Sequence, residues 1–245
     1  MPADLLLLHG FTQTGASWDG VVRALEGRYR ALAPGLGPGP WEAELDRLER
    51  LATGPHVLAG YSMGGRLALA LALRRPERVR ALVLVSASPG LADGEERAAR
   101  RAADEALAGR IEAIGAEAFA REWAAQPLFA GQPGAVAALA REDRLRRTAA
   151  EHAAQLRGLG TGVMPPLWDR LPELALPVTL VVGERDAKFR ALAEGMAERL
   201  PDARIVVVSG AGHAVALEHP GAVAAAIAGT HPGVPWTVGG CGARE

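Results

Sequence analysis

Cysteine, lysine and asparagine are nearly or wholly missing from this chain. Cys241 is the only cysteine among 245 residues, Lys188 is the only lysine, and asparagine does not occur. One cysteine excludes an internal disulfide and fits a reducing compartment. Arginine therefore carries almost all the positive charge. The formal net charge is −1, which excludes a strong general field toward nucleic acid or anionic lipid. Aromatic residues make up only 4% of the chain. No apolar run approaches the ~20 residues of a membrane span. Met1-Pro2-Ala3-Asp4 has no basic stretch before the first apolar run, so no secretory signal is expected and a cytoplasmic location is. No set of His, Cys, Asp and Glu shows metal-ligand spacing, so no metal is expected. What is present is a hydrophobic fraction of 49%, enough for a sizeable core.

Short apolar runs alternate with helical stretches. Leu5 to Leu8, Arg30 to Ala33, His56 to Ala59, Ala81 to Val85, Val178 to Val182 and Arg204 to Val208 read as strands. Helices are expected from Trp18 to about Glu26 behind a Ser17 cap, from Glu42 to Ala52, after Ser62, from about Phe189 to Leu200 and from about Pro220 to Ala228. That alternation predicts a mostly parallel sheet with helices on both faces. From about Asp93 to Gly158 no strand is visible, and Ala, Glu and Arg dominate. This block reads as a helical insertion capping the C-terminal edge of the strands, where ligands of such folds bind. The expected organisation is a core of residues 1–90 and 166–230, a helical lid over 91–165, and a poorly ordered Gly/Pro-rich tail over 231–245.

Gly60-Tyr61-Ser62-Met63-Gly64-Gly65-Arg66 stands between a predicted strand and a helix rich in Ala and Leu. Strand, Gly-x-Ser-x-Gly turn and helix together make the setting of a nucleophile elbow. A serine hydroxyl needs an imidazole to accept its proton, and the imidazole needs an orienting group. His213 follows the last predicted strand in the Ser209-Gly210-Ala211-Gly212-His213 loop. Asp186, in Gly183-Glu184-Arg185-Asp186, is the natural carboxylate; Glu184 is a rival, and Asp186 also suits a helix cap. The chain order Ser62, Asp186, His213 is that of the α/β-hydrolase fold. His9-Gly10-Phe11 then supplies an oxyanion donor at the Phe11 N–H, with the Met63 N–H as the second.

Arg66 lies one helical turn beyond Ser62, so both face one pocket. Two further arginine clusters, Arg97/Arg100/Arg101 and Arg141/Arg144/Arg146/Arg147, lie in the insertion; most members read as solvated helix faces. Arginine binds carboxylates through two parallel hydrogen bonds. An arginine beside the serine therefore points to a small anionic substrate carrying several carboxylates.

The chain to about Ala228 resembles the 2-succinyl-6-hydroxy-2,4-cyclohexadiene-1-carboxylate (SHCHC) synthases, menaquinone-pathway lyases of the α/β-hydrolase superfamily. The matching stretches include His9 to Trp18, Gly60 to Arg66, Ser86 to Leu91 and Glu96 to Arg101. The more diagnostic ones are Trp123-Ala124-Ala125-Gln126-Pro127-Leu128-Phe129, Leu156-Arg157-Gly158-Leu159-Gly160-Thr161-Gly162 and Gly183-Glu184-Arg185-Asp186-Ala187-Lys188-Phe189. The resemblance implies Ser62, Asp186 and His213 as the triad and Phe11 and Met63 as oxyanion donors. It implies Arg66, Arg100 and Arg144 as carboxylate holders, with Arg141, Arg146 and Arg147 as rivals to Arg144. Tyr61, Trp123 and Lys188 would complete the substrate site. The implied reaction removes a ring proton with Ser62 as base and expels pyruvate, without metal or cofactor. A serine esterase or thioesterase forming an acyl-enzyme is the alternative. The implied partner is a small polycarboxylate, with no nucleic acid and no membrane span, in a monomer or weak homo-oligomer. Pro34 to Pro40 departs from the Pro-Asp-Leu-Pro-Gly-His-Gly stretch usual there, which leaves the pocket-rim loop without its Asp and His.

Overall fold

The structure is a computed structural model and describes residues 4–230. Cys241 and the expected tail lie outside the described residues. Six parallel strands form one sheet in the order β2-β1-β3-β4-β5-β6. They are β1 (Leu5–Leu8), β2 (Ala31–Leu32), β3 (His56–Tyr61), β4 (Val79–Val85), β5 (Val178–Gly183) and β6 (Ala203–Val208). The helices are α1 (Asp19–Ala24), α2 (Trp41–Leu51), α3 (Met63–Arg74), α4 (Gly94–Ala124), α5 (Gly134–Arg144), α6 (Ala149–Leu159), α7 (Ala187–Ala197), α8 (Val215–Glu218) and α9 (Pro220–Ala228).

The two-residue period of a strand decides which face each side chain serves. Leu6, Leu8, Leu58, Leu82, Leu84 and Leu180 join the layer under α2, α3 and α7. Leu5, Leu7, Val57, Ala59, Val83 and Val181 join the layer under α1 and α9. Both faces of the central sheet are covered, so β1, β3 and β5 are buried along their length rather than alternating, while the edge strand β6 leaves Ile205 and Val207 exposed. The helix α3 runs between sheet and neighbours and is buried along nearly its whole length, including Arg66.

The chain moves outward from β1 to β2, then returns to place β3 on the other side of β1. This reversal opens a crevice at the C-terminal ends of β1 and β3, the usual ligand position in such sheets. Between β4 and β5 the described chain contains helices and no strand. α4 is broken at Gly115, where φ is 77°. A small core of Ala108, Ile111, Phe119, Ala153 and Leu156 ties α4 to α6.

Two local readings needed correction. Ser17 does not cap a helix: it is buried, and its hydroxyl donates to the Thr14 carbonyl at 2.8 Å. Thr14 caps instead, its side chain accepting from the Ala16 N–H at the start of a 3-10 turn over Gly15–Trp18. The short helix α8 was not anticipated, since four residues carry no readable helical period.

His9 anchors the Pro34–Pro40 loop despite that loop's unusual sequence. Its Nδ1 donates to the Gly10 carbonyl at 2.8 Å and its Nε2 accepts from the Leu36 N–H at 2.9 Å. Acceptance at Nε2 requires a neutral ring, since a protonated ring would carry a hydrogen there. Burial pushes the imidazole down to about 3, against the bond to Gly10 and helped by Arg147 and Arg47. An unfolded histidine titrates near ~6.5, so the unfolded chain takes up this proton first. Stability is then lost as pH falls from about 6.5 toward about 3. At pH 5 this ring alone should cost about 2 kcal/mol relative to pH 7. His56 and His152, also lowered by burial, act with the same sign. Urea melts at pH 7 and pH 5 measure the loss, and His9→Gln should shrink the difference. An unchanged difference in that variant would remove His9 from the account.

Candidate active site

Ser62 sits between β3 and α3 with φ 51° and ψ −108°, a conformation that L-residues avoid. The turn persists because its glycines permit contacts that no Cβ tolerates. A Cβ on Gly60 would lie 2.4 Å from the Gly64 carbonyl oxygen. One on Gly64 would lie 2.1 Å from the Leu8 carbonyl oxygen. The elbow is thereby pressed against β1 and lifts Ser62 above the sheet edge.

His213 Nε2 lies 3.3 Å from Ser62 Oγ, and Nδ1 lies 2.7 Å from Asp186 Oδ2. Asp186 serves both of its sequence readings. Its second oxygen accepts from the Phe189 N–H at 3.4 Å and caps α7. Glu184, the rival carboxylate, is exposed and binds Ser209 and Gly210 instead. The imidazole is buried and flanked by the rings of Phe189, 4.5 Å away, and Tyr61, 5.4 Å away. Glu218, which stands in no recognisable motif, accepts from the Gly212 N–H at 2.7 Å and steadies the histidine loop.

Ser62 and His213 open into a pocket of about 410 Å³. Phe11, Met63, Arg66, Arg100, Trp123 and Lys188 share its lining. The Phe11 N–H donates to no described residue, and Met63 begins α3, where helix geometry leaves N–H groups unpaired. Gln126, Leu128, Gly160 and Thr161 also line it; they fall in two of the three diagnostic stretches, the only sequence signal for them.

Arg66 is 7% exposed and forms no ion pair among the described residues. Its nearest polar partner is the Met164 sulfur, 3.6 Å from Nη1. Burial pushes the guanidinium down to about 9, and Arg100 adds to the lowering, so Arg66 remains a cation at neutral pH. Arg100 uses Nε to hold Asp104 at 2.8 Å. Lys188 is exposed, with Nζ 5.7 Å from the Phe189 ring centroid and no carboxylate partner among the described residues.

Tyr61 and Arg144 are not brought to this pocket. They line a smaller neighbouring cavity with Thr12, Gln13, Phe129 and Gln132, and the Phe11 side chain is common to both spaces. Burial raises the Tyr61 hydroxyl, with Asp186 and Glu218 adding to it, so it stays protonated. Arg144 is buried, donates Nη1 to the Ala120 carbonyl at 3.2 Å, and is pushed down to about 10 by burial. Its rivals are occupied elsewhere. Arg141 pairs with Glu117, Arg146 with Glu142, and Arg147 donates to the Leu36 carbonyl.

Residues 5–226 match the alpha/beta hydrolase family. The chain belongs to that family. A Bacillus subtilis protein provisionally named SHCHC synthase is 38% identical over 88% of this chain and 85% of its own length. The SHCHC synthase of Salmonella typhimurium is 32% identical over 91% and 92%. MenH from S. aureus superposes with a TM-score of 0.87 at 29% identity, covering 92% of each chain. A pimeloyl-[acyl-carrier protein] methyl ester esterase of Aeromonas hydrophila is 33% identical over 89% and 91%, so the same family also holds ester hydrolysis. No helix among the described residues is long and apolar enough to cross a membrane.

Proposed function

We propose that this α/β-hydrolase-family chain is the SHCHC synthase of menaquinone biosynthesis, a carbon–oxygen lyase. It eliminates pyruvate from 2-succinyl-5-enolpyruvyl-6-hydroxy-3-cyclohexene-1-carboxylate. The observation that carries the reading is the cationic wall facing the serine. Arg66 and Arg100, with Lys188 at the rim, surround a Ser62 whose partner imidazole is already aimed. A neutral ester would gain nothing from a buried guanidinium without a counterion, whereas a polycarboxylate supplies the missing charge.

Ser62 acts as base. His213 takes the hydroxyl proton at Nε2 while Asp186 holds Nδ1–H, and the serine oxygen removes a ring proton from the substrate. The electrons released form a new ring double bond, the existing ring double bond shifts by one position, and the C–O bond to the enolpyruvyl group breaks with its electron pair on the leaving enolate. That enolate takes the proton held at His213 Nε2 to become pyruvate, which returns His213 to its neutral form. The Phe11 and Met63 N–H groups stabilise the oxyanion that develops. Arg66, Arg100 and Lys188 hold carboxylates, and Trp123 supplies an apolar wall. Tyr61 and Arg144 complete the substrate site from the neighbouring cavity, which shares Phe11 with the Ser62 pocket. The helices α4, α5 and α6 act as a lid over the crevice. The lone cysteine supports a cytoplasmic location, and the near-zero net charge supports a small-molecule partner rather than nucleic acid.

Purified protein given the enolpyruvyl substrate should release one pyruvate per turnover, read by coupled lactate dehydrogenase. Reaction in ¹⁸O-water should leave the ring product unlabelled. Pyruvate release no faster than the spontaneous rate would end this reading. A trapped acyl group on Ser62, with fast turnover of p-nitrophenyl esters, would replace it with an esterase.

A further inference from the structure

The stretch Leu156 to Gly162 is diagnostic in sequence, yet the reaction above gives its glycines no task. Gly160 follows α6 and lies directly against Asp104 of α4. A Cβ at position 160 would stand 2.5 Å from Asp104 Oδ2. Asp104 is 6% exposed although its neighbours on α4 at 103 and 105 face solvent. Its Oδ1 accepts from Arg100 Nε at 2.8 Å, one helical turn away. Its Oδ2 is buried without a hydrogen-bond partner among the described residues.

A buried carboxylate with one oxygen unpaired lowers stability, so packing alone does not account for it. Its geometry accounts for it better. By taking Nε, Asp104 leaves both terminal nitrogens of Arg100 unpartnered among the described residues and fixes the plane of the fork. Arg100 is 44% exposed on its side chain and lines the Ser62 pocket. Untethered, such a side chain samples many rotamers and loses them on binding. Asp104 also opposes the repulsion between Arg66 and Arg100, since its charge raises Arg66 while that of Arg100 lowers it.

We propose that Asp104 is a positioning residue, seated by Gly160, that pre-aims Arg100 at a substrate carboxylate. This rests on the reading that Arg100 holds such a carboxylate. Asp104 itself touches no substrate; it acts on KM through Arg100.

A double-mutant cycle on pyruvate release tests it, with a thermal melt of each variant to establish folding. Arg100→Ala should raise KM about 30-fold. Asp104→Ala should raise KM about tenfold with kcat within about twofold of the parent. Asp104→Asn keeps an acceptor for Nε and should recover KM to within about threefold. In the Arg100→Ala background, Asp104→Ala should add less than about twofold. If Asp104→Ala fails to fold, Asp104→Leu, which keeps the side-chain volume but offers Arg100 Nε no acceptor, carries the same comparison. Equal effects of the Asp104 substitution with and without Arg100, or a parental KM in Asp104→Ala, overturn the inference alone. A parental KM in Arg100→Ala overturns the assignment of Arg100 and the inference with it.

Discussion

Ser62→Ala should lower the rate of pyruvate release by roughly 10³-fold or more, while substrate affinity stays within about threefold. The split between rate and binding follows from where the groups lie. Ser62 Oγ contributes one 3.3 Å contact to His213 and no charge to the pocket wall. The cations Arg66, Arg100 and Lys188 remain in place to hold carboxylates. What disappears is the group that moves the proton. His213→Ala should match the loss, because the serine proton then has no acceptor. The combined variant should be little slower than either alone, since the two residues work as one unit. Folding should survive, because the variant keeps the Gly60 and Gly64 contacts that shape the elbow. Stopped-flow pyruvate detection with product-binding titration measures both quantities. A Ser62→Ala rate within tenfold of the parent would leave the positively charged pocket as the catalyst and remove the base. Deuterium at the abstracted ring position gives an independent reading: a slowed parental turnover means that proton transfer limits the rate.

The sheet and the triad order were legible because each rests on a local pattern. Short apolar runs ended by His9-Gly10, Gly60 and Gly183 mark strands whose C-terminal ends all meet at one edge. Ser62, Asp186 and His213 each follow such an end, so a one-dimensional order sufficed to bring them together. The arginines were harder. Sequence places Arg144 in a cluster but gives no sign that it lines a smaller cavity beside the Ser62 pocket, with Phe11 bordering both. That partition depends on how α4, α5 and α6 pack over the crevice, with Phe11 in edge contact with Trp123 at 5.1 Å and 6.3 Å from Phe119. Asp104 was illegible for a similar reason. Its burial comes from Gly160, 56 positions away, and not from the polar face of its own helix. Thr14 displaced Ser17 as a cap because Asp143 on α5 accepts from the Thr14 N–H at 2.8 Å and from its hydroxyl, a contact between distant segments. For Arg144 and Thr14 the missing information was a contact between the insertion and the core; for Asp104 it was a contact between two distant segments of the insertion.

Arg66→Met should separate stability from activity in opposite directions. Methionine fills much of the arginine stem's volume and sits well beside Met164. It also removes a cation that α3 buries at 7% exposure with no ion-pair partner among the described residues. Replacing buried charge by a well-packed apolar side chain is commonly neutral or stabilising by about 1–4 kcal/mol. The melting temperature should therefore hold or rise. The same substitution deletes a desolvated donor pair for the substrate, a loss of about 2–5 kcal/mol in comparable buried charge pairs. That corresponds to a fall in kcat/KM of roughly 30-fold to several thousandfold. Arg66→Lys should lie between, because a point charge survives without the planar fork. Thermal melts and steady-state kinetics on the three proteins decide the matter. A variant that loses stability together with activity would make Arg66 a structural residue. A variant as active as the parent would detach the charge from the reaction. The expected outcome means that the folded chain tolerates a lone buried guanidinium because a polyanion later completes it. The free energy released when substrate supplies the counter-charge is then available where the ring proton leaves, one helical turn away at Ser62.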